Sequence, residues 1–138
     1  EWQNLRHKIL ERDKSACQYC GYKAESWQII HHLNGDLGNN SEGNLETVCQ
    51  MCNLIINIGF GCVATGLVQL YKKSGYDQNS IIQITRDMRN EGDPDSKIIK
   101  KLELTGKCGY KMNQAYLSCL FGFVTSKTDE LVHIKENK

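Results

Sequence analysis

Two Cys-x-x-Cys pairs, Cys17/Cys20 and Cys49/Cys52, stand 28 residues apart and constrain this chain more than any other feature. A two-residue gap lets each pair present both sulfurs from one tight turn, so four thiolates can surround a single tetrahedral Zn2+. Such a zinc is structural, because four sulfurs leave no coordination position open to water. Between the pairs lie the neighbours His31 and His32, a Gly/Asn-rich stretch, and Asn44-Leu45, and Asn53 follows the last cysteine directly.

Adjacent histidines on a strand point to opposite faces, and at a loop edge they can divide two tasks. One imidazole can hold a metal ion while its neighbour accepts a proton from water, and an asparagine carbonyl oxygen can complete the metal's ligands. The pattern Cys-x-x-Cys, His-His, Asn-Leu, Cys-x-x-Cys-Asn resembles the HNH (ββα-metal, or His-Me finger) endonucleases, in the branch whose hairpin and helix are clamped by a four-cysteine zinc. The resemblance covers residues 2 to 60.

It implies a metal-dependent endonuclease that hydrolyses DNA phosphodiester bonds. His32 would be the general base, and His31 and Asn53 would bind a catalytic Mg2+ or Mn2+ beside the scissile phosphate. Asn44 would hold the loop and help orient the base. Cys17, Cys20, Cys49 and Cys52 would carry the structural Zn2+.

The chain is also similar, more faintly, to the HNH-like zinc component of type IV secretion coupling complexes. That similarity implies a non-catalytic module which docks protein partners in a larger assembly. In a purely structural zinc module the two histidines are solvated or satisfied by hydrogen bonds. A third reading is a nuclease domain of a larger assembly that supplies the positive channel.

Charge bears on the choice. The formal charge of +1 over 138 residues counts thiols as neutral, and binding one Zn2+ through four thiolates takes it to −1. DNA affinity comes largely from Lys and Arg neutralising phosphates, so the chain is poorly equipped to grip DNA alone. Residues 21 to 60 hold one Lys against four acids, whereas residues 72 to 111 hold nine Lys/Arg against six. After Asn53 no Lys or Arg occurs before Lys72, where HNH nucleases usually carry a basic residue that contacts phosphate.

The seven cysteines are odd in number, and together with the knuckle spacing and the absence of a secretory signal this favours thiols in a reducing compartment over a disulfide framework. Cys62, Cys108 and Cys119 read as small buried hydrophobes. No apolar run approaches the length of about 18 residues that a membrane span needs, so the expectation is a cytoplasmic protein without a span. The missing initial Met points to a processed or excised segment.

In chain order, Trp2, Leu5, Ile9 and Leu10 recur at helical spacing and predict a helix over residues 2 to 12. Residues 27 to 31 read as a strand, 33 to 42 as a loop, 43 to 47 as the returning strand and 48 to 58 as a helix. The apolar run at Leu54, Ile55, Ile56 and Ile58 is expected to pack into the domain rather than to bind a partner. A glycine-punctuated link over 59 to 66 precedes a strand at 67 to 71. A helix capped by Asp77 or Asn79 follows, then a shorter one after the chain's only proline, Pro94. Tyr116, Cys119, Leu120, Phe123 and Val124 predict a last helix over 112 to 124.

The expected fold is therefore α+β, with a zinc-clamped ββα-metal module over 1 to 60, a mostly helical extension over 61 to 125 packed on it, and a polar tail over 126 to 138.

Overall fold

The computed structural model describes residues 1–127. The chain has mixed helices and small antiparallel sheets, as the α+β expectation has it, and it divides into two compact units, Glu1–Asn53 and Leu54–Lys138.

The first unit opens with helix α1, Trp2–Arg12. The Glu1 carboxylate accepts from the Gln3 backbone N–H at 2.9 Å, satisfying one of the free N–H groups that open a helix. Strands β1 (Ile29–His32) and β2 (Leu45–Val48) pair antiparallel, with His31 opposite Glu46 and His32 opposite Leu45. The α1 stripe lies on one face of this hairpin, where Ile9, Ile30 and Leu45 form a core flanked by Leu5 and Leu10.

Polar contacts fix the helix to the hairpin. Arg6 donates to the Gln28 carbonyl at 2.9 Å, and Arg12 donates to the carbonyls of Glu42 at 2.9 Å and Leu45 at 2.6 Å. Asp13 accepts from the Thr47 N–H at 2.9 Å. Helix α2 (Gln50–Ile56) follows β2 after Cys49, so strand, loop, strand and helix occur in the expected order.

The second unit is a three-stranded antiparallel sheet in the order β4 (Thr105–Cys108), β3 (Val68–Lys73), β5 (Phe121–Val124). Between β3 and β4 run α4 (Gln78–Asn90) and α5 (Asp95–Lys101). Asp77 caps α4 by accepting from Ser80 N–H at 2.8 Å. The core joins Tyr71 and Phe123 of the sheet to Ile81, Ile98, Leu102 and Leu104. On the other sheet face Ile55, Ile58 and Val68 crowd Gly122, where any side chain would collide with Ile55. Of the apolar run after Asn53, Leu54, Ile55 and Ile58 are half-buried, the last two against Gly122, and Ile56 alone is exposed.

Three expectations change. Cys62, Cys108 and Cys119 are not buried: the first two are half-buried and Cys119 is exposed. The link over 59 to 66 contains a short helix, α3 (Phe60–Ala64). The helix expected over 112 to 124 is replaced by a single turn, α6 (Gln114–Leu117), and strand β5, so the extension is a sheet with helices rather than mostly helical. Phe121 and Phe123 alternate with Gly122 at period two, which lets both rings face the α4 side while Gly122 meets the isoleucines. The polar tail falls largely outside the described residues.

Candidate metal centre

The four knuckle cysteines converge. Their sulfurs all lie within 4.8 Å of one another, and each cysteine is buried. Cys20 Sγ and Cys49 Sγ are 3.7 Å apart, close to the roughly 3.8 Å edge of a tetrahedron with Zn–S bonds of about 2.3 Å. The first knuckle turns at Gly21, whose φ of 82° is open to glycine and strained for other residues. Gly21 N–H donates to the Cys17 carbonyl, and Cys17 N–H to that of Tyr22, both at 2.9 Å. The second knuckle is the start of α2, where Cys52 N–H points at Cys49 Sγ across 3.3 Å and Asn53 N–H donates to the Cys49 carbonyl at 2.9 Å.

The electrostatics call for a cation. Hydrogen bonds from Cys20, Cys49 and Cys52 hold the Cys17 thiol far below its ordinary range. Contacts with the ionised Cys17 and with Cys20 push Cys49 and Cys52 well above theirs, and burial adds to the rise. Four thiolates held this close repel one another unless a divalent ion balances their charge. The donor set, its spacing and its charge all fit Zn2+. Bound there, the ion supplies structural crosslinking of the two knuckles.

The residues expected to do chemistry are placed as follows. His31 and His32 close β1, and the register and burial pattern send them to opposite faces of the hairpin. His32 shares the α1 side with Ile30 and is only 9% exposed. The indole of Trp2 stacks on its ring, with centroids 5.8 Å apart and planes at 12°. Its Nε2 lies 2.9 Å from Asn40 Oδ1, an amide oxygen that can only accept, so Nε2 is the donor of this contact.

His31 is half-buried beside Glu46, its cross-strand partner. Glu46 also neighbours Tyr19 of the first knuckle: burial and this carboxylate push the Tyr19 hydroxyl up to about 12. Asn44 accepts from Asn34 N–H at 3.1 Å and donates to Asn34 Oδ1 at 3.0 Å and to the Asn39 carbonyl at 2.8 Å. Asn44 thus fastens both ends of the loop that delivers Asn40 to His32. Asn53 sits half-buried in α2, one residue beyond the metal ligand Cys52.

Sequence reasoning did not single out Asn40 or pair Trp2 with His32. Asn40 is one of several asparagines in the loop, and Trp2 reads simply as part of the α1 stripe. Among the described residues, the cysteine quartet is the one group of three or more His, Cys, Asp or Glu donors close enough to share an ion.

No family model matches the chain. It is 32% identical over 87 residues to the type 4 apparatus protein DotN of Legionella pneumophila, a match covering 60% of this chain and 41% of DotN. The chain therefore aligns with less than half the length of this relative. No helix among the described residues is long and apolar enough to cross a membrane.

Proposed function

We propose that this chain is a zinc-clamped docking module of a multiprotein secretion apparatus, related in role to the type 4 apparatus protein that it resembles. The carrying observation is the state of His32. A general base needs access to water, whereas this imidazole is buried under Trp2 and held by Asn40. The similarity to DotN supports the same reading, as do a net charge near zero and the lack of basic residues after the second knuckle.

In this role the zinc is a scaffold. It fixes the hairpin and α2 rigidly enough to present a surface, and the module works on the cytoplasmic side, where thiols stay reduced. Cross-linking in the native cell followed by mass spectrometry tests the assignment. Cross-links to secretion-apparatus subunits are expected, and cross-links confined to nucleic acid or to ribosomal proteins count against it.

One observation favours the endonuclease as a second reading: Nδ1 of His32 makes no hydrogen bond among the described residues. In that reading His32 takes the proton from water, His31 and Asn53 hold Mg2+ or Mn2+, and Asn44 positions the loop. Supercoiled plasmid incubated with zinc-loaded protein and Mg2+ or Mn2+ separates the two. Nicking that His32→Ala abolishes overturns the docking assignment, and intact plasmid at all metal concentrations upholds it.

A further inference from the structure

The residues that flank the first knuckle enclose a pocket of about 340 Å3, lined by Lys14, Ser15, Lys23, Ala24 and Glu25. Its walls are stitched together. Ala16 and Lys23 form an isolated antiparallel bridge, and Ala24 N–H donates to the Ser15 carbonyl at 3.1 Å. The buried Gln28 amide donates to the carbonyls of Ser15 and Tyr22, both at 2.9 Å, and so ties the segments before and after the knuckle to each other.

The residue types are unusual for the backbone they occupy. Lys14 and Ser15 both stand at φ 56° just past the end of α1, where Ser15 N–H reaches back to the Leu10 carbonyl at 2.8 Å. Glycine is the common residue at a left-handed helix end, because a Cβ is strained there. Here a lysine and a serine take the strain, and both line the pocket. The Lys14 and Lys23 ammoniums, the Ser15 hydroxyl and the Glu25 carboxylate make no hydrogen bond or ion pair among the described residues.

We propose that this pocket captures the C-terminal carboxylate of a partner protein's chain. Charge and hydrogen-bonding chemistry select the occupant. Two lysines and one glutamate leave a surplus of one positive charge, which matches a monoanion. A phosphate monoester, with about 1.5 to 2 negative charges, exceeds that surplus and is repelled by Glu25. The ammoniums and the Ser15 hydroxyl can donate, whereas the Glu25 carboxylate only accepts, so the matching ligand sets a carboxylate beside an N–H. A chain end does this on a single residue. An Asp or Glu side chain holds its carboxylate farther from the nearest main-chain N–H. Capture of a terminal carboxylate is a recurrent mode of peptide recognition.

The proposal deepens the docking assignment and rests on it for the existence of a partner, yet it is tested separately. The probe is acetyl-trialanine with a free carboxylate, titrated into the 15N-labelled, zinc-loaded full chain and followed by the amide shifts of Ser15, Lys23, Ala24 and Glu25. Exposed ion pairs are individually weak, so a Kd on the order of 5 mM is expected, and raised salt should weaken binding. Tethering within an assembly supplies local concentrations of that same order. The peptide's C-terminal amide should leave the shifts unchanged. Inorganic phosphate, and an amidated peptide with one internal Glu, should each bind more weakly than the free chain end.

Lys14→Gln and Lys23→Gln should each weaken binding about threefold. Both side chains are exposed, and unchanged shifts outside the pocket confirm the fold of each variant. Glu25→Gln should bind phosphate more tightly than the parent does. No shift at about 50 mM peptide, ten times the expected Kd, overturns the proposal. So does binding of the amidated trialanine, equal or tighter binding of phosphate or of the internal-Glu peptide, or binding unchanged in both lysine variants. Plasmid nicking by a protein that still binds the free chain end would remove the docking assignment and leave the pocket standing.

Discussion

Trp2 and His32 are stacked face to face across the hairpin, the first residue of a helix lying on the last residue of a strand. The contact covers the imidazole that the sequence pattern marks for chemistry. Replacing Trp2 by Ala should cost about 1–2 kcal/mol and uncover the ring. Urea unfolding reads the first effect, and faster modification of His32 by diethyl pyrocarbonate, followed by peptide mass spectrometry, reads the second.

The purified chain should carry one zinc, and mass spectrometry under native conditions counts it. Stripping the ion, or changing Cys52 to Ser, leaves buried thiols that cannot share their charge, so hydrogen-exchange protection of β1 and β2 should collapse. A structural zinc contributes apparent binding energies of about 10–16 kcal/mol, ample to decide whether this unit folds. The sheet of the second unit has its own core around Tyr71 and Phe123, and protection of β3 should survive.

Burial alone would raise the Asp13 carboxyl, but the Arg12 guanidinium and the Thr47 N–H outweigh it and hold the group below the ordinary carboxylate range. A lowered folded pKa means that the carboxylate stabilises the fold above its unfolded pKa of about 4, with the contribution lost as pH falls through the folded value. Asp13→Asn should therefore lower Tm clearly at pH 7. The gap between variant and parent should narrow as pH drops below about 4, measured on the zinc-loaded protein.

Gln78→Ala strips both hydrogen bonds that the Gln78 amide makes to Gly122 and exposes a strand edge. Leaving these part-buried groups unpaired should cost about 1–3 kcal/mol. The opened β5 edge reads Phe-Gly-Phe-Val and carries no charge, so light scattering should show association of the variant.

Local signals in the sequence carried well. The spacing of Trp2, Leu5, Ile9 and Leu10 places α1 within its observed bounds, and Asp77 caps α4 as its position before a helical stripe implies. The cysteine quartet was legible because ligand spacing is itself a geometric constraint. Non-local pairing was not legible. Thr105-Gly-Lys-Cys has no apolar alternation and becomes β4 by pairing with β3. Residues 116 to 124 matched helical spacing by coincidence, and pairing with β3 decided in favour of period two. At the candidate site the hairpin and the loop brought Asn40 to His32, a juxtaposition that depends on the Asn44 tether rather than on any sequence spacing.

The staple from Arg12 and Asp13 to β2 has a practical corollary for anyone trimming this protein. A fragment cut at the first knuckle would keep every zinc ligand yet bare Ile30, Leu45 and His32 to solvent and orphan the Thr47 amide. The smallest autonomous piece must reach back to Trp2, because the helix ahead of the cysteines is half of the core that they clamp.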